Sequence, residues 1–172
     1  GYIGTELCKI YSGYSWHHKV IIVDNRFISE RVNQIRKWNM EFIQGDILNK
    51  DFVDNNFKDA DVVHHLAGIT DVPRTKTESN KSHDEKIHQV GVIGTKNILE
   101  AIDKCDLANT TRVLIVGSAS EYGEINLKDM PIKESLKPEP FNTYGNMKLR
   151  QTQLSLDWSS EENFIVIVRP FN

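Results

Sequence analysis

The first 24 residues, GYIGTELCKIYSGYSWHHKVIIVD (1–24), combine a glycine turn, a helical pattern and an apolar strand. Gly1 and Gly4 are three positions apart and lead into a helical pattern that runs to about Tyr14. Asp24 ends the apolar run and lies 20 positions after Gly4, the separation expected of an acid that binds adenosine ribose hydroxyls. Alone, each signal has an ordinary explanation, a simple turn or a surface aspartate. Together they favour a dinucleotide site with its pyrophosphate at the helix N-terminus.

The carboxylate of Asp24 also bears on which dinucleotide binds. A negative charge at this position would repel a 2′-phosphate, so the sequence favours NAD over NADP. Arg26 stands two residues further on and is able to attract such a phosphate, which keeps NADP as an alternative.

Strand and helix patterns alternate along the rest of the chain, which predicts an α/β fold with a parallel sheet. The predicted strands cover 19–24, 40–43, 61–67, 112–118 and 164–168. The predicted helices cover 27–38, 51–58, 85–105 and a segment that begins near Tyr144. Residues 70–86 and 124–140 are predicted loops. Gly91 and Gly94 lie inside a predicted helix, where glycine is unfavourable, so a strand or a cofactor is expected to approach closely there.

Composition excludes several classes of function. A net charge of −3 over 172 residues, with no basic stripe, argues against a nucleic-acid binder. Two cysteines, Cys8 and Cys105, are too few for a disulfide framework and fit a reducing, cytoplasmic setting. No apolar run approaches the roughly 18 residues of a membrane span. Adjacent histidines such as His64 and His65 point to opposite faces of a strand, so no metal site is expected there.

Tyr144 and Lys148 are four residues apart, about one helical turn, so the phenol and the ammonium share a helix face. We expect the cation to lower the pKa of the phenol, which would make Tyr144 a general base. By itself this spacing is a weak signal, because it occurs by chance in many helices. Ser118 follows a predicted strand, at the sheet edge where open α/β folds bind ligands, although a hydrogen-bonded turn serine is the alternative.

In chain order, a set of short motifs resembles the NAD-dependent epimerase/dehydratase family, the extended short-chain dehydrogenases that act on nucleotide sugars. These motifs are Gly1 and Gly4, Asp24, Gly45-Asp46, His65-Leu66-Ala67, Gly94-Thr95, Ser118, Tyr144 with Lys148, and Arg169-Pro170. Each motif is weak, but the ordered set is specific and spans essentially the whole chain.

The resemblance implies a Rossmann-type doubly wound parallel sheet, NAD as cofactor, a nucleotide sugar as substrate, and a homodimer formed through the helices that carry Gly94 and Tyr144. The implied catalytic residues are Ser118, Tyr144 and Lys148. The implied cofactor-binding residues are Gly1, Tyr2, Ile3, Gly4, Asp24, Asn25, Asp46, Ile47, Leu66, Ala67, Gly68, Tyr144, Lys148 and Pro170. The implied substrate-binding residues are Ser118, Ser120, Tyr144 and Asn172.

The same resemblance narrows the reaction type. In the family, the tyrosine takes a proton from a sugar hydroxyl while hydride passes to NAD, and an epimerase returns the hydride to the other face of the keto sugar. Members that are 4,6-dehydratases carry an acid two residues after the serine, often as Asp-Glu. Here Ala119 and Ser120 follow Ser118, and Glu121 comes one step late. Epimerisation is therefore favoured and 4-keto-sugar reduction is the runner-up, with dehydration or an idle NAD-binding protein as lesser alternatives.

Two further expectations follow from the family pattern. Gly91 stands where many relatives have asparagine, which puts a polar role at this position in doubt. The glycine motif begins at residue 1, so we expect the first strand and the C-terminal substrate domain to lie outside the 172 residues. In the strand order 3-2-1-4-5-6, that strand would sit between those ending at Asp24 and Ala67. A chain limited to these residues is therefore expected to be unstable, inactive and weak in NAD binding.

Overall fold

The computed structural model describes residues 1–14, 17–70, 81–104, 110–159 and 164–171. In these ranges helices and strands alternate as the sequence predicts. The elements are α1 (Tyr2–Ser12), β1 (Ile21–Asp24), α2 (Ser29–Lys37), β2 (Glu41–Gln44), α3 (Lys50–Phe57), β3 (Val62–His65), α4 (Lys81–His88), α5 (Gly94–Asp103), β4 (Arg112–Val116), α6 (Thr143–Trp158) and β5 (Phe164–Val168). A π-helical turn, Gln89–Ile93, joins α4 to α5, and short 3-10 helices lie at Ala119–Glu121 and Leu127–Asp129.

All paired strands are parallel, which confirms the predicted fold class. β1 pairs with β2, and β3, β4 and β5 form a second sheet in that order. Within the described ranges no strand of the first sheet pairs with a strand of the second. That a further strand lies between those ending at Asp24 and Ala67 stays a prediction. Parallel pairing brings the carboxyl ends of β3, β4 and β5 to one edge, and the candidate site forms there.

The hydrophobic core lies between the second sheet and the helices α3 and α5. Alternate residues of β4, Val113 and Ile115, are buried, and they pack in one cluster with Ile98 and Ile102 of α5. Full burial of each such side chain stabilises the fold by about 1.5–3 kcal/mol. No helix in the described part of the chain combines the length and apolar character needed to cross a membrane.

The predicted loop over 70–86 is wrong in its second half, because α4 already begins at Lys81. Ile87 is the buried residue of α4, so the helix has no apolar stripe that a sequence pattern would reveal. Residues 71–80 lie outside the described ranges, as does Cys105 at the end of the predicted helix 85–105. The other predicted elements are present with shifted ends.

Close packing at Gly91 and Gly94 is confirmed, and the neighbours are side chains of α6 and of the turn after β2 rather than a strand. A Cβ atom on Gly91 would lie 2.6 Å from Cγ of Met147 on α6, and one on Gly94 would lie 2.7 Å from Cγ1 of Ile47. Both contacts are closer than van der Waals packing allows, so a side chain at either position would displace a buried neighbour. Gly91 thus allows α6 to pack closely behind the candidate site.

Candidate active site

The N-terminal end of α6 brings Tyr144 and Lys148 to the turn that follows β4. Asn142 caps this helix, with its Oδ1 accepting a hydrogen bond from the Gly145 N–H at 2.7 Å. Ser118 lies two residues beyond β4 and caps the 3-10 helix, where its hydroxyl oxygen accepts from the Ser120 N–H at 3.1 Å. The Ser118 side chain lies close enough to the Tyr144 phenol to lower its pKa, an effect that burial of the phenol outweighs. The three predicted catalytic residues are therefore brought together.

Lys148 is buried, and its ammonium is held by two oxygen atoms. Nζ donates to the backbone carbonyl of Val116 at 2.7 Å and to Oε1 of Gln151 at 2.9 Å. These bonds use two of its three hydrogens, and within the described ranges the third has no acceptor. Burial lowers the pKa of Lys148 to about 8, although the nearby Glu121 carboxylate acts in the opposite direction.

The predicted lowering of the Tyr144 pKa is wrong for the protein without cofactor. Burial of the half-exposed phenol raises this pKa, the Ser118 side chain lowers it by less, and the charge of Glu121 adds to the rise. The Lys148 Nζ lies 6.0 Å from the centre of the tyrosine ring and donates to Val116 and Gln151 rather than to the phenol. Sharing a helix face is therefore not enough to ionise this tyrosine.

Glu121 joins the Ser118 turn to the end of β5. Its side chain is fully buried, with Oε1 accepting from the Ser118 N–H at 2.9 Å and Oε2 accepting from Nε of Arg169 at 2.8 Å. The Ser118 and Glu121 bonds together form a capping box. Arg169 also donates to the Tyr122 hydroxyl at 3.3 Å. Glu121 is thus committed to structural bonds next to the site.

The glycine motif lies at the N-terminus of α1, beside the end of β3. Gly1 caps this helix, and its carbonyl accepts from the Thr5 N–H at 3.0 Å. A Cβ atom on Gly4 would lie 3.5 Å from Cδ1 of Leu66, so the helix start and the residue after β3 are neighbours. The side chains of Tyr2 and Ile3 are exposed. The free N–H groups of a helix N-terminus favour anion binding at this place.

Asp24 ends β1 with its side chain partly exposed, as the sequence predicts. Its Oδ1 accepts from the Arg26 N–H at 2.9 Å, and the Arg26 guanidinium Nε lies 3.9 Å away. Asn25 is exposed beside it, and its carbonyl accepts from Gln44 Nε2 at 3.2 Å. A carboxylate and a guanidinium therefore stand together at this end of the first sheet.

Asp46 and Ile47 follow β2 and face different surroundings. Asp46 is partly exposed, and its Oδ1 accepts from the Leu48 N–H at 2.9 Å. Ile47 is buried in the core, and its carbonyl accepts from Asn97 Nδ2 at 2.9 Å. Asp46 is thus the member of this pair whose side chain is open to a ligand.

The remaining predicted residues within the described ranges lie around the three catalytic candidates. Ala67 and Gly68 are exposed after β3, and a Cβ atom on Gly68 would lie 3.9 Å from Lys148 Nζ. The Pro170 carbonyl accepts from the Ala119 N–H at 3.2 Å, which places Pro170 beside the turn that contains Ser120. Asn172, the predicted substrate contact, lies outside the described ranges.

Comparison with known proteins gives these residues a family context. The sequence matches the NAD dependent epimerase/dehydratase family over residues 1–172. The chain belongs to this family. The predicted resemblance is therefore confirmed, and NAD, the predicted cofactor, is the cofactor on which the family depends.

Two curated relatives and one crystal structure show the range of the similarity. The chain is 28% identical to the bifunctional UDP-glucose 4-epimerase and UDP-xylose 4-epimerase 1 of Pisum sativum, with 100% of the chain and 49% of that protein covered. It is 35% identical over 113 residues to GDP-6-deoxy-D-mannose reductase of Pseudomonas aeruginosa, with 65% of the chain and 35% of that protein covered. The UDP-glucuronic acid 4-epimerase of Bacillus cereus, solved with UDP-glucuronic acid and NAD, superposes with a TM-score of 0.77 at 29% identity and covers 98% of the chain and 53% of its own. The chain spans about half or less of the length of these relatives, and the family fold is the Rossmann fold that the sequence predicts.

The described residues fit a dinucleotide. A helix N-terminus suits a pyrophosphate, the partly exposed Asp24 suits ribose hydroxyls, and the unpartnered hydrogen of Lys148 is close to Gly68, where a second ribose could be held. NAD is thus compatible with the side chains that the fold places along this edge.

Gln151 is not identified from the sequence alone, and His65 and Thr95 are named there as motif members without a role in holding the catalytic candidates in place. Gln151 is fully buried three positions after Lys148, and Thr95 and His65 lie behind it. Glu121 was considered only as a displaced acid. The available signal was a polar side chain on the buried face of α6, because such a residue needs a hydrogen-bond partner.

Proposed function

We propose that the intact protein is an NAD-dependent nucleotide-sugar epimerase that acts through a transient keto sugar. The observation that carries this proposal is the assembly of Ser118, Tyr144 and Lys148 at one sheet edge, where the neighbouring acid Glu121 is held in hydrogen bonds to the Ser118 N–H and Arg169. The likeness to UDP-sugar 4-epimerases over nearly the whole chain supports it.

Each predicted residue takes a role in this proposal. Gly1, Tyr2, Ile3 and Gly4 line the pyrophosphate through the backbone, and Asp24 with Asn25 binds the adenosine ribose. Asp46 and the Ile47 backbone face the adenine, while the segment Leu66–Gly68 and Pro170 border the nicotinamide side. Lys148 holds the nicotinamide ribose through its third hydrogen. Ser118, Ser120, Tyr144 and Asn172 face the sugar and its phosphates.

The chain itself handles the proton of the reaction. When bound, NAD supplies hydride removal and hydride return at the sugar carbon. Tyr144 as phenolate accepts the proton of the sugar hydroxyl and returns it when the hydroxyl is re-formed, while Ser118 hydrogen-bonds the same oxygen. Because the pKa of Tyr144 is raised in the protein alone, ionisation depends on positive charge that Lys148 and an oxidised cofactor bring to the site.

The surroundings of Glu121 argue against dehydration. Both of its carboxylate oxygens accept hydrogen bonds, from Ser118 and Arg169, and the side chain has no exposed surface. A carboxylate held in this way is unable to deliver a proton to a leaving hydroxyl. Reduction of a 4-keto sugar is the second candidate, because the same three residues serve it and the chain is 35% identical to a GDP-sugar reductase over 113 residues.

The deciding experiment is to incubate the intact protein with catalytic NAD and a panel of UDP-, GDP- and dTDP-sugars, and to follow sugar stereochemistry by NMR. Inversion at a sugar carbon without net NADH formation would establish the epimerase and identify its substrate. Stoichiometric NADH consumption with a keto sugar, without inversion of any parent sugar, would establish the reductase instead. Bound NAD without turnover of any sugar would contradict both.

We also propose that the intact protein is a homodimer paired through α5 and α6. These helices contact each other, and Leu156 on α6 and Ile93 next to α5 are exposed apolar side chains. Sedimentation of the intact protein at micromolar concentration checks this, because a monomer there would contradict it.

A further inference from the structure

A buried polar cluster lies directly behind Lys148. It consists of His65 at the end of β3, Thr95 on α5 and Gln151 on α6, which are 3%, 0% and 1% exposed. Thr95 Oγ1 lies 2.8 Å from both His65 Nε2 and Gln151 Nε2. Three polar side chains from three elements thus meet in the core, where a polar group without partners is destabilising.

The position of each proton in this cluster follows from its partners. The Thr95 hydroxyl lies 2.6 Å from the Gly91 carbonyl, which can only accept, so the Thr95 proton points there. Thr95 Oγ1 is then an acceptor for both nitrogens that face it. We infer that His65 carries its proton on Nε2, because in the other tautomer Nδ1–H would be a buried donor, and Nδ1 has no partner in the described part of the chain. In this tautomer the 3.3 Å contact between Gln151 Nε2 and His65 Nε2 is not a hydrogen bond, because both nitrogens donate to Thr95 Oγ1.

This proton arrangement fixes the orientation of the Gln151 amide. Because Nε2 must donate to Thr95, the amide oxygen Oε1 has to face Lys148, from which it accepts at 2.9 Å. The Val116 carbonyl accepts from the same Nζ at 2.7 Å. The two acceptors together direct two of the three ammonium hydrogens of Lys148 into the protein. The third hydrogen is then left on the side of Gly68, where an added Cβ atom would lie 3.9 Å from Lys148 Nζ.

We propose that Gln151, locked by Thr95 and His65, is the positioning residue that aims the Lys148 ammonium at the bound cofactor. This inference rests on the proposed function, since it gives Lys148 its ribose-binding orientation. Gln151 touches neither cofactor nor substrate and acts through Lys148 alone.

The charges around Lys148 are consistent with this role. Glu121, Tyr144 on its own helix and His65 are the titratable groups that face it, and burial together with the Lys148 charge lowers the pKa of His65 to about 3. His65 is therefore neutral at physiological pH, and the neutral amide of Gln151 accepts from the ammonium without cancelling its charge. A carboxylate at position 151 would neutralise the cation that the phenolate of Tyr144 requires.

The test compares Gln151→Met with Gln153→Met in the intact protein. Methionine keeps the length of glutamine but has no amide, and Gln153 is an exposed glutamine on the same helix. Lys148 titration is followed by NMR of protein labelled with 13C-lysine, with the resonance assigned from Lys148→Arg. NADH affinity is measured by fluorescence.

For Gln151→Met we expect the Lys148 midpoint to fall by about one pH unit and NADH affinity to fall about tenfold, because the ammonium loses an acceptor and its fixed direction. Gln153→Met should change neither. A folded Gln151→Met protein with both values unchanged would overturn the proposal.

Thr95 provides a second pair of variants if Gln151→Met does not fold. Thr95→Ser keeps the hydroxyl and loses a methyl group, whereas Thr95→Val keeps the shape and loses the hydroxyl. If the Thr95 hydroxyl holds Gln151 in the orientation that positions Lys148, Thr95→Ser should behave like the parent protein and Thr95→Val should bind NADH more weakly. The reverse order would mean that the cluster only fills space. Lys148 titration needs no sugar, so its result is independent of whether any nucleotide sugar is turned over.

Discussion

Tyr144 is the residue on which the proposed chemistry depends most directly. Its phenol is half-buried and its pKa is raised in the protein alone, since desolvation outweighs the effect of the Ser118 side chain. The Lys148 ammonium donates hydrogen bonds to the Val116 carbonyl and the Gln151 amide oxygen, not to the phenol. A tyrosine in this setting stays protonated until the site gains further positive charge, which links its reactivity to cofactor binding.

Replacing Tyr144 with phenylalanine tests its assigned role. The variant keeps the ring and its packing but removes the hydroxyl proposed to take the proton of the sugar, so turnover should fall by about 10²–10⁴-fold or more. NAD affinity, measured by fluorescence titration, should stay nearly unchanged, because one hydroxyl is lost from a large binding site. Near-normal turnover of the variant would remove Tyr144 from the catalytic role.

Gly91 matters for stability because the Met147 side chain packs directly against it. Met147 is 2% exposed, and its side chain fills the volume that any Cβ at position 91 would enter. An asparagine at this position would therefore have to displace the Met147 side chain. We expect Gly91→Ala to lower the unfolding free energy by about 1–3 kcal/mol through overpacking, although alanine alone favours helix by about 1 kcal/mol.

The effect of Gly91→Ala on the unfolding free energy should change sign when the Met147 side chain is shortened. In a Met147→Ala background, Gly91→Ala fills part of the vacated space and gains helix propensity, so it should stabilise. Urea unfolding of the four proteins in this cycle gives a coupling energy, which we expect to exceed about 1 kcal/mol. Additive effects would show that Met147 does not restrict position 91.

Among the secondary-structure elements, the short helix Ala119–Glu121 depends on the end of β5 for its place. The Glu121 carboxylate bridges the Ser118 backbone and the Arg169 guanidinium, which is 19% exposed at its side chain. The ion pair therefore connects the turn that presents Ser118 to the strand on its far side. Nearby Glu121 also raises the pKa of both Tyr144 and Lys148.

Removing the charge of Glu121 should show its effect on stability and its effect on the pKa of Tyr144 separately. Glu121→Gln leaves the Arg169 guanidinium without its carboxylate partner, and we expect a loss of about 3–5 kcal/mol of unfolding free energy. The pKa of Tyr144 should fall, because the opposing negative charge is gone, and ultraviolet titration of the phenol measures this. Glu139→Gln removes an exposed carboxylate paired with Lys137 and should cost less than about 1 kcal/mol. Equal losses in the two variants would argue against the bridging role.

For the whole molecule, the buried His65 couples stability to pH. Its pKa is about 3 when folded, against 6.5 in its ordinary state, because burial disfavours the charged ring. The unfolded chain therefore binds more protons than the folded one between these values, and stability falls as pH drops below 6.5.

From His65 alone, the unfolding free energy should be about 2 kcal/mol lower at pH 5 than at pH 7. Urea unfolding of the intact protein at the two pH values measures this difference. His65→Gln removes the titrating ring, so its stability should depend less on pH, whereas His17→Gln changes an exposed side chain and should leave the dependence as it is. An unchanged slope in His65→Gln would contradict the assignment.

The sequence by itself determined the order of elements, the parallel fold class, the family and the three catalytic candidates. These features depend on local patterns, since an apolar run or a four-residue spacing fixes which face or edge a residue occupies. The first turn of helix α4, Lys81–Asp84, is not predicted as helix because its residues, none of them buried, have no such pattern.

Only the tertiary structure decided what surrounds the catalytic candidates. Arg169 reaches Glu121 across 48 positions, Thr95 reaches Gln151 across 56, and His65 lies 86 positions from Gln151. Desolvation depends on these distant partners rather than on neighbours in sequence, so the direction of the Tyr144 pKa shift could not be read from its spacing to Lys148. The spacing places the ammonium and the phenol on one helix face, but in the packed structure the ammonium donates its hydrogen bonds to Val116 and Gln151.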